Sequence, residues 1–328
     1  MTGTPATSAP SVSPTPEDSL DWSARTDIAA GPSAREDHTW TVAADGITAY
    51  LFGGRTAEGA SDEIWQFDLA ADSWSILSPT GARPDARWGH TATWVDGVGL
   101  VVWSGQNERG FFDDIWRYQP SVGLWEELPS MGEVPQARYG SCASLGPDGR
   151  LWISHGFTED AGRFSDTRAY DFTTGEWTDE TPDGEVPVER CLHDCYWSAG
   201  GRLILYGGQT TGTPALGDLW VLDPASGWQR APEPGAPARQ LYALATTESG
   251  AVVFGGGSAD GGFLDDTWLI ADATLEVVEQ PYQTRPEVRS GATLIPAGDF
   301  RYLLFGGRSD DGLRADLWEL SGFFSTHP

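Results

Sequence analysis

The chain has 328 residues, 39% hydrophobic and 12% aromatic, which is ample material for a packed core. Its 48 acidic residues against 20 basic ones give a formal charge of −28, and every cation is arginine because the sequence holds no lysine. Nucleic acid and anionic membranes are excluded as partners, since both require a basic face, and lysine Schiff-base chemistry goes with the missing lysines.

Residues 1–19 are rich in Thr, Ser, Pro and Ala and lack the basic and apolar segments of a secretory signal, so they are expected to be a disordered tail. A second short tail is expected at 323–328, with one domain between. No run reaches the length of a membrane helix. Cys142, Cys191 and Cys195 are too few for a disulfide framework and fit a reducing compartment, so a cytoplasmic protein is expected; a monomer or weak association is the expected state.

The first recognisable element is Leu20-Asp21-Trp22-Ser23, a short tryptophan-bearing strand. A longer pattern follows: Leu51-Phe52-Gly53-Gly54, then Glu63-Ile64-Trp65-Gln66-Phe67-Asp68, then Trp74. It returns at Leu205-Tyr206-Gly207-Gly208 with Asp218-Leu219-Trp220 and Trp228, and at Leu304-Phe305-Gly306-Gly307 with Asp316-Leu317-Trp318. Weaker copies are Val102-Trp103-Ser104-Gly105, Ile153-Ser154-His155-Gly156 and Val253-Phe254-Gly255-Gly256. The first residue of each pair stands at 53, 104, 155, 207, 255 and 306, a period near fifty with several short apolar runs per unit, as in propeller blades.

Each unit reads as a buried strand, a glycine bend where backbones crowd, an alternating strand and a fourth strand with a tryptophan. The last unit lacks its fourth strand. The fragment around Trp22 supplies the missing piece, so an N-terminal strand is expected to complete blade six and close the ring. Unit three carries Arg168 in place of the second-motif tryptophan, and unit five has Val277 and Val278 where the fourth-strand tryptophan is due. Those two blades are expected to pack less tightly or to be adapted to something.

Every unit opens with an arginine, at 35, 87, 138, 190, 239 and 289. One residue type filling a position six times points to architecture, with guanidinium groups satisfying loop carbonyls. Three of the five histidines, His38, His90 and His193, share the third place after that arginine, which favours a structural hydrogen bond. His155 replaces the first glycine of its pair, a substitution at a crowded bend that asks for a functional reason.

Gly-Gly after a strand, Asp-x-Trp-x-Phe/Tyr/Leu-Asp, a further Trp and Pro-x-x-Arg opening the next unit together resemble the kelch family, over about residues 21–321. The resemblance implies an all-β, six-bladed kelch propeller over 20–322. It also implies that two positions per blade line a central funnel: the residue after the arginine (Glu36, Trp88, Tyr139, Cys191, Gln240, Ser290) and the residue after the glycine pair (Arg55, Gln106, Phe157, Gln209, Gly257, Arg308). Arg55 and Arg308 would clamp an anionic group, with Trp88, Tyr139 and Phe157 under an apolar body and Gln106, Gln209 and Gln240 completing the wall. The alternative at the same positions is an ordinary acidic surface, with the two arginines paired to Asp310 or Glu36.

Unit four holds the densest chemistry, from Glu185 to Cys195. If residues 190–195 form a strand, Cys191, His193 and Cys195 share one face and are ligand types for zinc or iron. Glu185, Glu189 and His193 are similarly spaced to the Glu-x-x-x-Asp-x-x-x-His iron site of plant specifier proteins, which are kelch propellers. No cofactor is required otherwise. The expectation is a propeller that binds a small molecule or a protein loop in its funnel. The alternative is a lyase, isomerase or cyclase using Glu36, Asp37, Glu189 or His193 as acid or base.

Overall fold

A computed structural model describes residues 20–322 except 29, 30, 233, 234, 273, 276, 281 and 299, so both expected tails lie outside the described residues. The apolar runs are four to six residues long and end at glycine or turn residues, which makes them too short for helices. Among the described residues every regular element is a strand, and no helix is long and apolar enough to cross a membrane.

The longer strands form six blade sheets running outward from a central axis, antiparallel except for the short parallel pairing of Met131–Gly132 in blade three, and three small hairpin sheets stand beside them. Blade one comprises Thr39–Val42, Thr48–Phe52, Ile64–Asp68 and Ser73–Leu77. Blade two comprises Thr91–Val95, Gly99–Trp103, Ile115–Gln119 and Leu124–Glu127. Blade three uses Cys142–Leu145, Leu151–Thr158, Gly162–Asp171 and Glu176–Asp179, and blade four Asp194–Trp197, Leu203–Tyr206, Leu219–Asp223 and Gly227–Arg230. Blade five uses Ala243–Thr247, Gly250–Ser258, Phe263–Ala271 and Val277–Glu279. Blade six uses Thr293–Pro296, Arg301–Phe305 and Leu317–Ser321, with Asp21–Ala24 as its outermost strand.

The expected closure is therefore present, with Trp22 opposite Leu320 and Asp21 opposite Ser321. Trp22 is buried, donates its indole N–H to Thr267 Oγ1 of blade five at 3.0 Å, and packs 4.9 Å from the Phe254 ring. A square of charges staples the same strand from outside. Arg25 binds Asp72 (2.8 Å) and Glu319 (2.7 Å), and Arg301 binds the same two carboxylates at 2.6 and 2.8 Å.

The core lies between blades rather than inside them, in six clusters that each join two neighbours. The fourth-strand tryptophans supply the contact by leaning on the aromatic that precedes the glycine bend of the preceding blade. Trp74 meets Phe305 at 5.4 Å, Trp125 meets Phe52 at 5.0 Å and Trp177 meets Trp103 at 5.5 Å. Blade five fills the equivalent space with the smaller Val277, beside Tyr206.

The six opening arginines are sealed, at 0–1% exposure, and five bind alike, while Arg35 reaches a single oxygen of Glu63 and the Ser33 hydroxyl in place of an aspartate fork. Arg190 is representative: it reaches both Asp218 oxygens (2.7 and 2.8 Å), the Gly207 carbonyl (2.8 Å) and the Val188 carbonyl (3.1 Å). The same carboxylate accepts the indole N–H of Trp220 at 2.7 Å. In blade three Arg168 Nε donates to Asp166 at 3.1 Å, so the missing tryptophan is replaced by another N–H donor and the bond survives.

Candidate functional site

The second residue after each opening arginine is Asp37, Gly89, Gly140, Leu192, Leu241 or Gly291, and all six have φ between 50° and 64°. Glycine adopts this left-handed region without strain; aspartate and leucine do so at a cost. Their backbones form a closed ring. Gly89 N–H donates to Asp37 O, Gly140 to Gly89, Leu192 to Gly140, Leu241 to Leu192, Gly291 to Leu241 and Asp37 to Gly291, at 2.7–2.9 Å. One bond per blade, closing on itself, fixes the mouth of the central shaft. Behind it lies a cavity of about 260 Å³ lined by the innermost strands, including Asp37, Thr39, Ser141, Asp194, Tyr242 and Thr293.

On the hairpin-bearing side of the ring, the two funnel positions of each blade pair with one another. The pairs are Glu36 with Arg55, Trp88 with Gln106, Tyr139 with Phe157, Cys191 with Gln209, Gln240 with Gly257 and Ser290 with Arg308. The twelve residues therefore form a rosette around the axis, because each occupies the same register on consecutive blades.

The rosette is electrostatically lopsided. Arg308 is held by Glu36 through both carboxylate oxygens at 2.7 and 2.8 Å, so it is not a free cation. Arg314 beside it is paired with Glu287 and Asp311. Arg55, Arg109 and Arg163, on the hairpins of blades one to three, form no ion pair among the described residues. Arg55 lies over the Trp88 ring at 5.4 Å and Arg163 over Phe157 at 5.3 Å. Between them Phe111, Tyr139 and Phe157 make one aromatic cluster, with centroids 5.7–6.1 Å apart. These aromatics are half-buried, which leaves ring surface facing the funnel.

Two buried carboxyls border the axis. Asp37 is pushed up to about 7, first by burial and then by Glu36, against the opposing pull of Arg55 and Arg308. Asp194, on the shaft wall of blade four, is also raised to about 7 by burial. Burial raises the Tyr139 phenol and the Cys191 thiol as well.

Unit four does not assemble as a strand would have it. Leu192 sits at φ 60°, so the strand starts only at Asp194, and the bend separates Cys191 from Cys195. Cys195 is bonded to Cys142 of blade three, with Cα atoms 5.6 Å apart, which corrects the expectation of three free thiols. Cys191 alone is free, buried beneath Gln209, whose amide lies 3.6 Å from its sulfur. Glu185 and Glu189 are exposed on the connector, whereas His193 is buried against His155 with ring centroids 5.4 Å apart. The three proposed iron or zinc ligands do not converge, and no group of three His, Cys, Asp or Glu side chains gathers for a metal among the described residues.

The shared histidines do pack between blades. His38 lies on Phe305 at 5.6 Å and His90 on Phe52 at 5.2 Å, and His90 Nε2 shares a 2.9 Å hydrogen bond with Thr39. Neither nitrogen of His38 has a protein partner, and His193 has only a poorly aligned approach to the Ser154 backbone, so the hydrogen bond expected of this position is well formed at His90 alone of the three. Burial holds His38 and His193 well below the usual histidine range and His90 near 3. His155 is fully buried at φ 58°, bonded to Ser154 Oγ (2.5 Å) and to the Pro187 carbonyl (3.3 Å), which gives its departure from glycine a packing role. Phe111, Arg109 and Arg163 escaped the sequence reading because they stand on the hairpins between the repeat motifs; cationic and aromatic residues there were the available signal.

Residues 15–208 match the KLHDC2/KLHL20/DRC7 Kelch-repeats domain. The chain is 27% identical to Adagio-like protein 3 of Oryza sativa subsp. japonica over 86% of its own length and 48% of that protein. It is 27% identical to Kelch domain-containing protein 3 of Bos taurus over 76% of the chain and 68% of that protein. It is also 27% identical to N-(sulfonatooxy)prop-2-enimidothioate sulfolyase of Thlaspi arvense over 54% of the chain and 61% of that protein. The chain spans about half the length of the Adagio-like relatives.

Proposed function

Since the chain belongs to the kelch-repeat family, whose members put one propeller to many uses, we propose that its hairpin-bearing funnel binds a partly anionic, partly apolar small molecule on blades one to three. The observation that carries this reading is that Arg163 over Phe157 of the Phe111–Tyr139–Phe157 cluster and Arg55 over Trp88 have no carboxylate partner among the described residues, in a protein of charge −28. In so acidic a chain an arginine is readily neutralised by a neighbour, as Arg308 is by Glu36. Arg55 and Arg163 keep their charge beside aromatic faces, where an anionic ligand can meet both a cation and a ring. Guanidinium groups supply directed charge-assisted hydrogen bonds, and the rings supply flat apolar area. One relative bears a name that makes a sulfonatooxy compound its substrate, which is in keeping with an anionic ligand.

Calorimetric titration with 2-naphthoate and its neutral isostere 2-naphthamide tests the reading. Binding of the carboxylate at least about tenfold tighter, with an affinity that falls as salt rises, is expected. Equal binding of the two, or none of either, rejects it. The enzymatic alternative has one specific support, the near-neutral Asp37 carboxyl beside the funnel, which suits acid–base chemistry of the lyase or isomerase type. Glu36 is committed to Arg308, Glu189 lies out on the connector, and His193 is enclosed between blades.

A further inference from the structure

Asp37 occupies a place in the axial ring where three of the other five blades use glycine. Its φ of 53° lies in the left-handed region, which glycine adopts freely and aspartate at a modest cost. Its carboxyl folds over the ring residue of neighbouring blade six, close enough that a Cβ on Gly291 would lie 2.5 Å from Oδ1. That oxygen is buried with no protein donor. A buried acceptor without a donor is destabilising, because its desolvation is not offset. Blade one therefore accepts backbone strain and an unpaired carboxylate oxygen where glycine would satisfy the ring. Strain of this kind, held in place by surrounding structure, belongs to ligand sites more often than to scaffolding.

The surroundings say which side the carboxyl serves. Glu36, Arg55 and Arg308 are the charged groups that act on it, from blades one and six, and it in turn acts on the Tyr139 phenol of blade three. Tyr139 itself leans inward over the ring at Gly89, where a Cβ would lie 2.8 Å from its ring carbon. Asp37 and Tyr139 thus share the funnel floor, while Arg55 and Arg163, which have no carboxylate partner among the described residues, stand at its rim, Arg163 donating to Thr211 Oγ1 at 3.3 Å. The guanidinium of Arg308, already bound to Glu36, is not available to neutralise Asp37 by direct contact.

We propose that Asp37 is a recognition residue at the funnel floor that accepts a hydrogen bond from a hydroxyl or amine of the ligand, whose acidic group is held at the rim. The ligand class is then a hydroxylated or aminated aromatic or apolar acid. This inference rests on the funnel reading and narrows it. Because the acceptor is strongest when ionised, preference for a donor-bearing ligand grows as pH rises from 6 to 8. The near-neutral carboxyl of Asp37 places that change in this window.

The test compares 4-hydroxyphenylacetate, 4-methoxyphenylacetate and phenylacetate by calorimetry against the wild-type chain and Asp37→Gly. The hydroxylated acid should bind the wild type at least about tenfold more tightly than either of the others, the scale of a hydrogen bond to a charged group. Asp37→Gly should bring the three acids within about twofold of one another while melting at or above the wild-type temperature, since it removes strain and an unpaired oxygen. Equal binding of the three acids by the wild type overturns the inference and leaves the anion-binding funnel standing. Persistence of the hydroxyl preference in Asp37→Gly, or a lower melting temperature for that variant, also overturns it. Failure of all three acids to bind rejects the funnel reading and this inference with it.

Discussion

Glu36 of the first blade holds Arg308 of the last through both carboxylate oxygens, at 2.7 and 2.8 Å. The pair spans the seam where the chain closes on itself and leaves the two ends of the funnel unequal, with a neutralised cation on blade six and carboxylate-free cations on blades one to three. Arg308→Ala should therefore weaken 2-naphthoate binding less than Arg55→Ala does, although the sequence places the two arginines at the same register. Glu36→Gln releases Arg308 and should strengthen binding several-fold. Titrations of the three variants read the difference directly, and equal losses from both arginines would show that the pair opens to the ligand.

Closure by the N-terminal strand sets a sharp boundary in truncation. Removing residues 1–19 should leave the melting temperature unchanged, whereas removal through residue 27 takes away Trp22 and Arg25 and should lower it severely. Trp22→Ala alone should cost about 3–5 kcal/mol in chemical denaturation, the usual range for a buried tryptophan. Comparable behaviour of the two truncations would contradict the paired strand at Asp21–Ala24.

The opening arginines are expected to matter for folding and not for ligand specificity. Arg239→Ala leaves Asp266 and the Gly255 carbonyl without their guanidinium partner. Breaking a buried pair from one side costs about 3–5 kcal/mol. Denaturant unfolding of this variant should show a loss of that order, while relative affinities for the probe acids stay as in the wild type.

The Cys142–Cys195 bond joins the innermost strands of blades three and four across 53 residues of sequence. It removes the argument from cysteine count for a reducing compartment, because such bonds persist where oxidation is maintained. Cys142→Ala combined with Cys195→Ala should lower stability by about 2–4 kcal/mol. Thiol labelling of the unfolded, unreduced wild type should find one reactive cysteine, Cys191; three would contradict the bond.

The sign of one pH effect follows from Asp194, whose carboxyl burial raises to about 7. An acid that is harder to ionise when folded favours the folded state at low pH, and that contribution is lost as pH rises from about 4 through 7. Asp194→Asn should accordingly gain on the wild type by at most about 1.4 kcal/mol per pH unit across this window and by nothing further above it. Denaturation at pH 5, 6, 7 and 8 measures the slope; a constant difference would mean that Asp194 ionises normally.

The ring of blades was legible in the sequence because its determinants are local and repeated. The glycine bends at Gly53, Gly207 and Gly306, the arginines at blade openings and the lone Trp22 each announce a position within one unit. The rosette was legible for the same reason, since Trp88, Tyr139 and Phe157 occupy repeated registers. What was not legible depends on distances between units. The bond between Cys142 and Cys195 and the capture of Arg308 by Glu36 require knowing which side chains face each other across a blade boundary. One backbone angle separated the unit-four cluster: alternation along residues 190–195 placed Cys191, His193 and Cys195 on one face, but Leu192 at φ 60° turns the chain between them. Arg168 looked like a defect in blade three and is a substitute donor to Asp166.

The central claim is that cations without carboxylate partners beside the aromatic cluster make the funnel an anion site, and charge reversal at Arg55 addresses it most directly. Arg55 is exposed and takes part in no ion pair among the described residues, so Arg55→Glu leaves the blade core untouched. Calorimetry with 2-naphthoate at low salt should show the wild-type affinity reduced by at least about tenfold in Arg55→Glu, with the melting temperature of the free protein unchanged. Undiminished affinity in a folded Arg55→Glu protein would contradict the account.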